Sequence, residues 1–228
     1  CGSEGMLGIV TEITVALLPR PEKVAVMLAA FRTLNDAADA VAAVIGAGII
    51  PAGMEMMDQL AVHAAEQFAH AGYPEDAAAI LLIELDGTDS EVVAMVVQVE
   101  RLMLARHAYH IDVATDPDNQ MRLWKGRKSA FPAVGRLSPD YYCMDGTIPR
   151  RELARVLREI SQFSSEYGLA VANVFHAGDG NLHPLILFDA NKPGDLEAAE
   201  QMGGRILELC VHVGGTVTGE HGVGIEKL

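Results

Sequence analysis

The amino-acid sequence predicts an α+β fold in which two ferredoxin-like halves share one large antiparallel sheet covered by helices. Two observations carry this expectation. Short apolar runs of strand type alternate with longer segments whose apolar residues recur at helical spacing, giving two sets of strand–helix–strand units. The second set also contains a hairpin signal, Asp179-Gly180 between two β-type runs.

Taken in chain order, "CGSEGMLGIVTEITVALLP" reads as a glycine-bearing strand pattern, and the pattern changes after Pro19-Arg20-Pro21. A domain boundary is therefore expected near residue 22, with residues 1–21 belonging to a preceding domain and 22–228 forming the next. "VAVMLAAF" reads as a strand. Leu34, Ala37, Val41, Val44 and Ile45 then form a helical stripe, with Asn35 or Asp36 near its start and "GAG" closing it. "PAGMEMMD" reads as a short strand, its methionines belonging to core and strand edge rather than to a thioether metal site. A helix follows over 58–69. "AILLIELDG" is a strand of buried type, and Val92, Met95, Val96, Val99, Leu102 and Met103 make the next helical face. After "IDVAT", Asp116 and Pro117 start a helix through Trp124 to about Ala130. "YYCMDGTI" reads as one strand. Pro149 opens a helix that turns Leu153, Val156, Leu157, Ile160 and Phe163 inward, and a long helix over 195–213 leads to a final glycine-rich stretch.

The 228 residues are 50% hydrophobic and 21% charged, ample for a real core. Lys+Arg 17 against Asp+Glu 31 gives a formal charge of −14, which argues against nucleic acid or an anionic membrane as the main partner. Cys1, Cys143 and Cys210 are too few and too scattered for a disulfide framework or a cysteine zinc site, and Cys210 falls on an apolar helical face. No signal peptide or membrane-length apolar run is present, so a cytoplasmic location is expected. There is no initiator Met and both ends fall inside glycine-bearing patterns, so the chain reads as part of a longer protein.

The segment "VFHAGDGNLHP" carries the most chemistry. With Asp179-Gly180 as a type I′ turn, Gly178 faces Asn181, Ala177 faces Leu182 and His176 faces His183. Directly opposite positions hold Cβ atoms about 4.5–5.5 Å apart on one face, which suits chelation by two imidazoles. A plain cross-strand histidine pair is the equal alternative from this stretch alone. In "GTVTGEHGVGIEK", Glu220 and His221 lie among glycines that permit close backbone approach, so Glu220 offers a hard oxygen ligand and His221 a proton acceptor. Read by itself, that stretch also fits a helix cap followed by a strand. Two imidazoles and a carboxylate would suit Zn²⁺, Mn²⁺ or Fe²⁺.

The pieces "GSEGMLGIVTEI", "LWKGRKSAF", "YYCMDGTIPR", "VFHAGDGNLHPLILFDAN" and "GEHGVGIEK", in that order, resemble the FAD-linked 2-hydroxy-acid oxidases and dehydrogenases of the vanillyl-alcohol oxidase type. Their wording leans towards glycolate-oxidase flavin subunits. The resemblance implies a substrate-binding cap domain preceded by the last segment of an FAD-binding domain, in which Glu4, Gly5, Gly8, Ile9 and Val10 approach FAD. It implies a divalent metal on His176, His183 and Glu220, with His221 as the base and Arg127 holding the substrate carboxylate. It further implies oxidation of a small 2-hydroxy acid, glycolate or D-lactate, to the 2-oxo acid. The hydroxydicarboxylate branch carries a lysine where this chain has Cys143 and an asparagine where it has Leu185, so the departures point to a monocarboxylate.

By the same resemblance, a second flavin-type subunit and an iron–sulfur subunit would be partners, placing the protein peripherally at the inner membrane. Most of the FAD site would lie outside this chain, so the chain alone would be inactive and bind little flavin. Two other readings remain at the sequence level: a metal-binding or interaction module without redox activity, and a metal-dependent hydrolase using the same ligands.

Overall fold

The computed structural model describes residues 6–223 and residue 227. The elements run β1 (Lys23–Phe31), α1 (Leu34–Gly46), β2 (Gly53–Asp58), α2 (Gln59–Ala69), β3 (Ala79–Gly87), α3 (Asp89–Ala105), β4 (His110–Ala114), α4 (Pro117–Lys128) and α5 (Ala130–Val134). They continue with β5 (Asp140–Cys143), β6 (Gly146–Thr147), a 3-10 turn (Arg150–Glu152), α6 (Leu153–Tyr167), β7 (Val171–Phe175), β8 (Asn181–Leu182), β9 (Pro184–Phe188) and α7 (Asp195–His212).

Seven strands form one sheet in the order β4-β1-β3-β2-β7-β9-β5, and every pairing is antiparallel. The first four strands have the ferredoxin-like order 4-1-3-2 over β1α1β2, then β3α3β4. β5, α6, β7, β9 and α7 repeat that scheme, but the slot beyond β5 holds no fourth strand among the described residues. Instead, the chain leaving α7 makes a single bridge, Thr216 to Thr147. The halves join through Met56↔Phe175 and Met57↔Val174.

Helices cover both sheet faces, which is why β1 and β3 read as continuous apolar runs rather than alternating ones. Met27, Ala29, Phe31, Leu81 and Ile83 pack under α1, α3, α6 and α7. Val26, Leu28, Ala30, Ile80 and Leu82 face α2, α4 and α5. Caps set the helix starts. Thr33 caps α1, two residues ahead of Asn35 and three ahead of Asp36, and Thr88 with Glu91 forms a capping box on α3.

Three expectations change. Residues 6–20 form no helix or strand and are exposed, Leu7 at 93%, because their strand pattern meets no sheet partner among the described residues. The helix starting at Pro117 ends at Lys128, close to the expected Ala130, but a short helix not expected from the sequence, α5, follows it, set off at Ser129 because Pro132 has no N–H to continue the ladder towards Lys128. "YYCMDGTI" divides into β5 in the large sheet and β6 in a two-stranded ladder with β8, the break falling at Met144-Asp145. No helix is long and apolar enough to cross a membrane.

Asp58 links the halves. Its carboxylate caps α2 through the N–H of Ala61 and accepts from the backbone N–H and Nδ2 of Asn173 on β7. Burial raises its pKa to about 6, the donated hydrogen bonds only partly opposing it. The folded value lies above the ordinary 3.8, so protonation of Asp58 favours the folded state at low pH, and that contribution is lost as pH rises from about 4 through 6. Relative to Asp58→Asn, the unfolding free energy of the wild type is expected to fall by up to roughly 3 kcal/mol between pH 4 and pH 7, read from denaturant curves of both proteins.

Candidate metal and substrate centre

The centre is built at the junction of β7, β8 and β2, on the sheet face that carries α2, α4 and α5. The hairpin differs from the expected one by two residues. His176 bridges Asn181, and the backbone N–H groups of His176 and Asn181 donate to each other's carbonyls. The loop is therefore the four residues Ala177–Gly180, and only Gly180 takes a positive φ, 75°. Its neighbours fix this register. Gly178 donates to the Met54 carbonyl, stitching the loop onto β2, and a Cβ on Gly180 would lie 2.2 Å from the Ile148 carbonyl oxygen. A slip of two keeps the face, so His183 becomes the diagonal neighbour of His176 rather than its opposite. The imidazole centroids are 5.1 Å apart, edge to face.

Glu220 completes the group from 37 residues away. Its Oε1 lies 3.1 Å from His183 Nε2 and 3.5 Å from each of His176 Nε2 and His221 Nε2. His176, His183 and Glu220 thus offer three ligand atoms within 4.8 Å of one another. Asp145, His183 and His221 form a second such set. His183 is 1% exposed, with Phe131 of α5 edge-on to its ring.

Two carboxylates escaped the sequence reading. Glu55 stands opposite His176 across the β2–β7 ladder, in the register of Met56↔Phe175. Its Oε1 is 2.8 Å from His176 Nδ1, and its Oε2 accepts from Nε and Nη2 of Arg127 at 3.1 and 2.8 Å. This bond to Glu55 raises the His176 pKa, against the opposing effect of burial. It also fixes which nitrogen faces the centre, Nε2. Arg127 of α4 is 8% exposed, and Glu55, the partner of His176, engages its guanidinium through Nε and Nη2. Asp145 lies in the break between β5 and β6, 2% exposed, with Oδ1 3.9 Å from His183 Nδ1. A carboxylate inside an otherwise apolar strand pattern was the available signal in both "GMEMMD" and "YYCMDGTI".

Burial, with the nearby His176 ring, lowers the His183 pKa and favours its neutral form. His183 and His176 both turn Nε2 towards Glu220 Oε1, at 3.1 and 3.5 Å. A proton satisfies such a contact, and so does a cation: two imidazole nitrogens and a carboxylate oxygen converging within 4.8 Å form a donor set that fits a divalent ion. Cys143 and Leu185 are direct cross-strand partners on the face of His183 and pack into the apolar cluster there. Gly8, Ile9 and Val10 are exposed and lie in the segment without helix or strand, while Glu4 and Gly5 lie outside the described residues.

The family model for the C-terminal domain of FAD linked oxidases matches residues 20–228. The chain belongs to this family. It is 59% identical over its whole length to the glycolate oxidase subunit GlcD of Escherichia coli, covering 46% of that protein. It is 39% identical to the glycolate oxidase subunit GlcD of Bacillus subtilis over 99% of this chain and 48% of that protein. A mitochondrial D-lactate dehydrogenase (cytochrome) of Arabidopsis thaliana is 31% identical over all of this chain and 40% of that protein. The chain spans about half the length of the curated relatives it matches. Among solved structures, p-cresol methylhydroxylase with bound substrate superposes with a TM-score of 0.69 at 15% identity, over 88% of this chain and 45% of that one. A 4-ethylphenol oxidase of Gulosibacter chungangensis gives 0.65 at 13%, over 87% and 46%. At those identities the likeness establishes the fold.

Removing Glu55 leaves the Arg127 charge buried without its partner. Glu55→Ala is expected to cost about 3–5 kcal/mol of stability, measured by chemical denaturation, and Glu55→Gln less. In Glu55→Gln the His176 ring should titrate at lower pH than in the wild type, as followed by NMR.

Proposed function

We propose that this chain forms the substrate side of an FAD-dependent oxidoreductase that oxidises a small 2-hydroxy acid, glycolate or D-lactate, to the 2-oxo acid. The observation that carries the reading is Glu220 Oε1 ringed by the Nε2 atoms of His176, His183 and His221 at 3.1–3.5 Å. His176, His183 and Glu220 would hold Zn²⁺, Mn²⁺ or Fe²⁺, with FAD approached by Glu4, Gly5, Gly8, Ile9 and Val10. When bound, the metal supplies a Lewis acid for the substrate oxygens and FAD supplies the hydride acceptor.

The chain's own residues then have distinct tasks. His221 takes the hydroxyl proton at Nε2, an imidazole being suited to this near neutral pH. Arg127, held by Glu55 through Nε and Nη2, would pair with the substrate carboxylate through its remaining N–H groups. Charge balance supports a metal: Glu55, Asp145 and Glu220 outnumber Arg127 and Lys227 around the centre, which by themselves would repel an anionic substrate. The apolar Cys143–Leu185 pair near His183 gives a second carboxylate nothing to bind, which favours a monocarboxylate. A second flavin-type subunit and an iron–sulfur subunit would receive the electrons, with the protein in the cytoplasm or peripheral at the inner membrane.

The test uses the full-length protein that carries this chain. With glycolate or D-lactate it is expected to reduce an artificial electron acceptor, and a chelator should abolish the activity while flavin absorbance remains. His221→Asn should lower kcat about 10²–10⁴-fold with flavin and metal retained. A wild-type protein holding both flavin and metal that oxidises no small 2-hydroxy acid would overturn the reading.

A further inference from the structure

Glu220 and His221 sit on a segment with little to hold it. After the Thr216–Thr147 bridge, residues 217–223 belong to no helix or strand. Yet Glu220 Oε1 comes within 3.1 Å of a buried imidazole. We propose that Asp145 is the positioning residue that fixes these two side chains in the centre, an inference that rests on the functional reading above.

The Asp145 carboxylate is a template for the segment's backbone. Its Oδ2 accepts from Thr218 Oγ1 at 2.9 Å and from the N–H groups of Gly219 at 3.0 Å, His221 at 3.1 Å and Glu220 at 3.3 Å. Lys227 Nζ, itself buried, donates to the same oxygen at 3.2 Å and to the Asp145 carbonyl at 2.8 Å. Consecutive N–H groups converging on one anion set the local backbone path, and with it the directions in which Glu220 and His221 leave the chain. Thr218 Oγ1 closes the turn by accepting from the Gly222 N–H. On the other side, Gly219 lies against the Asn181 amide, where a Cβ would be 2.0 Å from Oδ1.

Asp145 is itself placed by the ladder that places His183. The pairs Cys143↔Leu185 and Gly146↔Leu182 share one register, which sets Asp145 opposite His183. One stretch of paired backbone therefore locates both an imidazole ligand and the anion that brings in the acidic ligand. Asp145 also belongs to a possible ligand set with His183 and His221. However, its Oδ2 is already crowded by N–H, O–H and ammonium donors, and Oδ1, which faces His183 Nδ1 at 3.9 Å, also accepts from the Glu220 N–H at 3.3 Å. The geometry suits a template rather than a ligand.

The experiment measures Zn²⁺ affinity of the full-length protein by competition with a chromophoric chelator at 25 °C, alongside thermal unfolding. Asp145→Asn should weaken Zn²⁺ binding about 10–100-fold. Thr218→Val, which removes one donor to Asp145 and the acceptor for Gly222, should weaken it about two- to tenfold. A purely structural role would lower the melting temperature and leave the affinity of the folded protein unchanged. Unchanged affinity in folded Asp145→Asn overturns the inference while the wild-type centre stands. If that variant does not fold, unchanged affinity in Thr218→Val overturns it. A wild-type protein that binds none of Zn²⁺, Mn²⁺ and Fe²⁺ removes the metal-dependent reading and this inference together.

Discussion

The centre depends on one constraint: a carboxylate on an irregular segment must be held against two histidines on a rigid hairpin. Charged groups at such close range are costly to bury unless each has a fixed partner. Here the partners are divided between the two halves of the fold. Glu55, from the first half, engages His176 and Arg127, whereas Asp145, from the second, engages the segment that carries Glu220 and His221.

The duplicated fold explains why such an assembly is available. In the first half, the strand after the second crossover helix returns to the sheet as β4 beside β1. In the second half, the chain after α7 leaves the sheet and crosses to the hairpin end. A departure from the internal repeat thus releases the stretch that brings in the acid and the third imidazole. The joining ladder between β2 and β7 contributes as well, since its register carries Glu55 to His176.

Much of this architecture was legible in the sequence because both sheet faces are covered, which turns strands into unmistakable apolar runs. The histidine pair was legible for a subtler reason. The sequence reading misplaced the turn by two residues, but side chains alternate with period two, so His176 and His183 stayed on one face. Glu55 and Asp145 were not legible, because a lone acid in an apolar strand looks the same in sequence whether it faces solvent or a buried imidazole. Only the cross-strand register distinguishes them, and register is set by contacts between distant segments such as Gly178 with Met54.

Among the described residues β5 is the last strand of the sheet, at the place where the first half of the repeat adds its fourth strand. A border strand in general can recruit foreign strands and seed aggregation. The border is kept to four residues, and its first, Asp140, puts a charge there while its carboxylate receives the Ala190 N–H. Brevity and charge together make this margin a poor template for intermolecular β-pairing.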